Sequence, residues 1–139
     1  IELGAGETGL VGLAAARALS CSCCVLTDLP ELLPGLKANA DRNALADGTK
    51  AIVRPYQWGT AESVEAAGIW PSGSRPPFGV LLAADCIYDS ENVEGFVDAL
   101  RDLGDADSEV LVAFDEAIGR VGAYESFAQL ARRRWCLVE

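Results

Sequence analysis

Short apolar runs alternate with stretches of helical periodicity along nearly the whole 139-residue chain, and that alternation admits few folds. The pattern predicts strands over Ile1–Leu3, Val25–Asp28, Ala51–Trp58, Phe78–Ala84, Glu109–Phe114 and Trp135–Val138. It predicts helices over Leu10–Leu19, from the prolines Pro30 and Pro34 onward, around Ala61–Ala67, over Ser90–Leu103 and over Ala123–Arg134. Strands joined through helices pair in parallel, which makes the chain an α/β protein. The run Phe78–Ala84 is apolar throughout, as a central strand covered on both faces requires. Helical spacing turns Leu32, Leu33, Leu36 and Ala40, then Val93, Phe96, Val97, Leu100 and Leu103, then Tyr124, Phe127, Leu130 and Ala131, toward the sheet. The expected fold is a doubly wound, mostly parallel sheet with helices on both faces. Residues 68–77 (GIWPSGSRPP) read as a turn-rich loop.

The length suits one domain over residues 1–139. Half the residues are hydrophobic, enough for a core, yet no apolar run approaches the ~18–20 residues that span a bilayer. Nor does a charged and then apolar opening mark a secreted chain. The expectation is a cytoplasmic protein, with the nucleus also open, and no membrane partner. A net charge of -10 repels phosphate backbones, so nucleic acid is not expected and a basic protein partner is. The cysteines are Cys21, Cys23, Cys24, Cys86 and Cys136, with no histidine. Structural zinc takes four ligands in paired spacing, so no metal is expected and the thiols read as small residues entering strands in a reducing compartment.

In a doubly wound sheet, ligands bind beyond the carboxyl ends of the strands. Gly4-Ala5-Gly6-Glu7-Thr8-Gly9 falls there, after the first strand. Its glycines allow a sharp turn and close approach, and the following helix presents free N–H groups. Asp28 closes the second strand, where a carboxylate can accept both ribose hydroxyls of a nucleoside. Turn and acid together predict a nucleoside-bearing cofactor. Read literally, Gly4, Gly6 and Gly9 also spell the G-x-G-x-x-G of dinucleotide sites, so a nicotinamide cofactor shares the pattern. Glu2, a charge in a central strand, demands a partner or a function.

The segment Leu82-Ala83-Ala84-Asp85-Cys86-Ile87-Tyr88-Asp89 carries a D-x-x-Y after the fourth strand. With Glu2-Leu3-Gly4-Ala5-Gly6, Leu26-Thr27-Asp28-Leu29-Pro30 and Trp58-Gly59, it closely resembles the small seven-strand protein-lysine methyltransferases (methyltransferase family 16) over nearly the whole chain. The resemblance implies a Rossmann-like class I methyltransferase core, S-adenosylmethionine as cofactor, and a lysine of a protein as methyl acceptor. It implies that Gly4, Ala5 and Gly6 hug the methionine part, with Glu2 supporting that loop. Asp28 would hold the ribose, Trp58 would lie near the adenine, and Ala84 would line the cofactor pocket. Asp85 and Tyr88 would face the substrate as the catalytic pair.

In-line methyl transfer asks the protein to align donor and acceptor and to exclude water. A lysine amine, with an ordinary pKa near ~10.4, must first lose a proton. Asp85 can orient the incoming ammonium, and the Tyr88 ring can wall a channel for the aliphatic stem. From Asp85 to Glu116 there are eleven acids and one base, Arg101, which suits a basic acceptor and equally suits a solvated helix face. Two departures from the family pattern stand out. Glu7 lengthens the usual G-x-G-T-G and is expected to set a negative charge beside the methionine carboxylate. The chain is also expected to be a fragment, lacking an N-terminal segment that contributes a tryptophan and a closing hairpin after Glu139. A non-catalytic methyltransferase-like binding module and a nicotinamide-dependent oxidoreductase are the alternatives.

Overall fold

The computed structural model describes residues 1–43, 49–60, 68–70, 78–115 and 121–133. The helix expected around 61–67, the loop residues 71–77 and the strand expected over 135–138 lie outside the described residues. Among the described residues, five strands and four α-helices follow in chain order: β1 Glu2–Leu3, α1 Leu10–Ala18, β2 Cys23–Asp28, α2 Leu33–Arg42, β3 Lys50–Pro55, β4 Val80–Ala84, α3 Val93–Leu103, β5 Glu109–Ala113 and α4 Val121–Arg132. The sheet order is β3-β2-β1-β4-β5, and every pair is parallel. This is the α/β, doubly wound architecture that the alternation predicts.

Alternation along each strand divides the core. Leu3, Val25, Leu81 and Ala83 point to one face, where they meet Phe96, Val97 and Leu100 of α3 and Phe127 and Ala131 of α4. Cys24 and Leu26 point to the other, where Leu13 and Ala16 of α1 and Leu36 and Ala40 of α2 cover them. The expected inward faces of α3 and α4 are therefore the buried ones. A side chain such as Phe96, 1 % exposed, contributes about 1.5–3 kcal/mol by leaving water.

Local chemistry shifts several boundaries. β3 ends at Pro55, and Trp58 lies in the following turn rather than in the strand. Pro30 begins a separate 3-10 turn, Pro30–Leu32, and only Pro34 sits in the first turn of α2. Leu32 consequently faces the cleft described below, while Leu33, Leu36 and Ala40 pack on the sheet. Helix α3 starts at Val93, because Asp89 folds Ser90–Asn92 into a turn. Its carboxylate accepts the Glu91 N–H at 3.0 Å and the Asn92 side chain at 3.3 Å.

Candidate functional site

The chain runs from β1 outward to β2 and β3, then returns across β1 to β4 and β5, so the winding reverses between β1 and β4. Side chains from the carboxyl ends of both strands meet at that switch point. The turn after β1 needs its glycines. Gly4, Gly6 and Gly9 hold φ of 63, 60 and 56°, a region L side chains avoid. A Cβ on Gly4 would also stand 2.6 Å from Cys86 Sγ and 3.2 Å from Trp58 Cη2. The turn is thus clamped between the segment after β4 and the tryptophan after β3.

Asp28, 8 % exposed, organises the opposite wall. One oxygen accepts the Gly6 N–H at 2.6 Å and the other accepts the Leu29 N–H at 2.7 Å. Each oxygen keeps a lone pair, enough for a pair of adjacent hydroxyls. Ala5, 5 % exposed, donates its N–H to the Thr27 carbonyl at 3.0 Å, and the Thr27 hydroxyl donates to the Glu2 carbonyl at 2.9 Å. The β1 and β2 ends form one hydrogen-bonded unit.

Glu2, 3 % exposed, supplies the cap that Gly9 cannot. Its carboxyl accepts the Gly12 N–H at 2.8 Å in the first turn of α1. Burial raises its pKa above the ordinary carboxylate range, against that hydrogen bond.

After β4, Asp85 adopts φ 59° while donating its N–H to the Ala113 carbonyl at 2.7 Å. Aspartate tolerates this left-handed conformation better than most residues. Cys86 turns inward and donates to the Leu3 carbonyl at 3.3 Å, and burial pushes its thiol up to about 12. Tyr88 is 55 % exposed.

These walls enclose a cleft of about 340 Å³. Of the residues expected at the site, Gly4, Asp28, Trp58, Asp85 and Tyr88 line it together. Gly6 acts through its N–H on Asp28, while Ala5 and Ala84 are not among the lining residues, Ala84 being paired with Ala113 in the sheet. Sequence reasoning missed Leu29, Leu32, Tyr56, Gln57, Cys86 and Asn92. Tyr56-Gln57 adjoin Trp58 and Cys86 adjoins Asp85, so neighbourhood in the chain was the available signal. Burial pushes the Tyr56 phenol up to about 12.

Glu7 lies apart from the cleft. Its side chain crosses α2, where a Cβ on Gly35 would come within 3.0 Å of Glu7 Oε1. Asn39 of α2 donates to the Thr8 carbonyl at 2.5 Å and holds the longer turn from the same side. A larger apolar cavity of about 500 Å³ sits at the amino ends of the strands, beside Cys21, Trp70 and Val80. Parallel sheets carry their chemistry at the other end, and the smaller cleft is the candidate site.

A doubly wound parallel sheet with a glycine turn and a carboxylate at its switch point defines the class, an α/β protein of the Rossmann-like type. Within that class the chain belongs to the lysine methyltransferase family, whose model matches residues 1–132. A methyltransferase crystal structure from Pyrococcus furiosus has the same fold, with a TM-score of 0.63 at 17% sequence identity. The alignment covers 94% of this chain and 62% of that one, so the chain spans less than two thirds of the length of the solved structure. Among the described residues, no helix is long and apolar enough to cross a membrane.

Proposed function

We infer that this domain transfers a methyl group from S-adenosylmethionine to a lysine side chain of a protein substrate. The single observation that carries the reading is convergence: Gly4, Asp28, Trp58, Asp85 and Tyr88, drawn from the carboxyl ends of four strands, line one cleft. Family membership supports methyl transfer, and the acidic chain suits a basic acceptor.

The residues present fit the cofactor. Gly4 lets backbone form the floor, the two free lone pairs of Asp28 suit the ribose hydroxyls, and Trp58 offers an aromatic wall for adenine. They fit a dinucleotide less well. A pyrophosphate would seek the first turn of α1, and the Glu2 carboxyl already occupies it. Glu7 resting on α2 also removes one ground for a non-catalytic module, since its charge is turned from the cleft.

When bound, S-adenosylmethionine supplies the methyl group on a sulfonium. The remaining work falls to the chain. Asp85 attracts and aligns the substrate ammonium, and the Tyr88 ring walls the aliphatic stem. Cys86 and Tyr56, with pKa values pushed up to about 12, stay protonated at neutral pH and do not serve as bases. The acceptor proton leaves to water before transfer, so Asp85 needs only to bind and orient.

Calorimetry with S-adenosylhomocysteine and NAD tests the cofactor. Binding of the first and not the second is expected, and the reverse would overturn the reading. Asp85→Asn keeps the backbone tolerance for positive φ and removes the charge. It should retain S-adenosylhomocysteine affinity and lose methylation of a lysine-containing protein. A parallel fall in both would make Asp85 a cofactor residue instead.

A further inference from the structure

Helix α3 and the turn after β3 touch through two glycines. A Cβ on Gly95 would lie 2.5 Å from Gly59 Cα and 2.8 Å from Gly59 N, with the Trp58 carbonyl carbon at 3.4 Å. Gly59 holds φ 76°, so neither side of the contact accepts a larger residue without movement. Next along α3, Phe96 sets its ring edge-on to Trp58, with centroids 5.4 Å apart and planes at 65°. On its far side the Trp58 ring reaches Gly4, whose missing Cβ would lie 3.2 Å from Cη2. Gly95, Gly59, Trp58 and Gly4 form one line of contact from the helix to the floor of the cleft.

We propose that Gly95 is a positioning residue of this cleft: by letting α3 meet the Trp58–Gly59 backbone directly, it sets how closely the Trp58 ring approaches Gly4. The consequence for ligand affinity rests on the cofactor reading above; the mechanical coupling does not. An added methyl at Gly95 meets backbone, which cannot rotate away as a side chain can, so the turn must shift and carry the indole with it. Gly95 is 36 residues from Gly59 in the chain and lies on a helix whose other inward residues are ordinary core.

The test uses the chain labelled with 5-fluorotryptophan, whose Trp58 and Trp70 19F lines are assigned through Trp58→Phe and Trp70→Phe. Gly95→Ala should move the Trp58 line, leave the Trp70 line in place, and weaken S-adenosylhomocysteine at least about tenfold by calorimetry. Ala131→Gly, on the buried side of α4, serves as a destabilised control and should change neither the line nor the affinity. Phe96→Leu keeps a large core side chain while removing the edge contact, and should move the same line if Gly95→Ala does not fold. An unmoved Trp58 line overturns the proposal, as does a moved line with unchanged affinity. If the unsubstituted chain fails to bind S-adenosylhomocysteine, the cofactor reading falls. The 19F line then decides the coupling, a moved line supporting it and an unmoved one overturning it.

Discussion

Glu2 on β1 caps α1 from outside the helix, its carboxyl accepting the Gly12 N–H at 2.8 Å. The geometry requires a glycine, since a Cβ at position 12 would stand 2.7 Å from Glu2 Oε2 and 2.5 Å from Leu26 Cδ2. Burial raises the Glu2 pKa, so the neutral form is the one that folding favours. Its contribution to stability is full below its ordinary value of 4.5 and is lost as pH rises through the raised native value. Glu2→Gln keeps an acceptor for Gly12 and carries no charge. It should be at least as stable as the parent at neutral pH, with the advantage vanishing toward pH 4. Glu2→Ala, which leaves a buried N–H unpaired, should lose about 1–3 kcal/mol. Denaturant unfolding at several pH values checks both, and a Gln variant less stable than the parent at pH 7 would refute the assignment.

The two oxygens of Asp28 accept N–H groups from opposite directions, Gly6 at 2.6 Å and Leu29 at 2.7 Å. Asp28→Asn must therefore turn an amide N–H toward a backbone donor. The substitution should destabilise by about 1–3 kcal/mol and weaken S-adenosylhomocysteine, although it is nearly isosteric. Unfolding midpoint and calorimetric affinity report the two losses separately. A variant of parental stability would show that the acid does not hold the turn.

The sheet was legible because burial of strands on both faces and of helices on one leaves a periodic record. Phe96, Val97 and Leu100 are buried where helical spacing predicts. The cleft was legible wherever a backbone demand selects one residue type, as at Gly4 and Gly6, or where an acid ends a strand, as at Asp28. What was hidden depends on contacts distant in the chain. Nothing near Gly59 signals Gly95, and nothing near Gly12 signals Glu2 as its cap. The end of β3 at Pro55, which leaves Trp58 in a turn, followed from pairing in the sheet rather than from the apolar run around it.

The expectation for Glu7 illustrates the same limit. Position inside the glycine turn suggested a charge beside the methionine carboxylate, whereas the side chain lies over Gly35 of α2. An exposed charge turned from a cleft acts weakly through solvent. Glu7→Gln should leave S-adenosylhomocysteine affinity within about twofold, on the order of a few tenths of a kcal/mol. Gly35→Ala, which crowds the Glu7 side chain, should disturb the turn more than removing the charge does. Calorimetry on both variants decides, and a tenfold gain from Glu7→Gln would return the charge to the cofactor.

Gly4 and Cys86 join the two halves of the site, and their coupling is measurable. Gly4→Ala faces two obstacles, φ 63° and a Cβ only 2.6 Å from Cys86 Sγ. The first costs about 1–2 kcal/mol and the second, as overpacking against a buried neighbour, about 1–3 kcal/mol. Cys86→Ala alone removes the sulfur that donates to the Leu3 carbonyl at 3.3 Å and leaves a small void. In the double variant the new methyl occupies part of that void. The share of the Gly4 penalty that the sulfur imposes should then disappear, while the backbone part and the tight approach to Trp58 Cη2 remain. A double-mutant cycle by denaturant unfolding should give a favourable coupling of about 0.5–3 kcal/mol between the sites. Strict additivity would mean that the turn moves away from Cys86 at little cost, and the clamp on the cleft floor would be looser than the contacts imply.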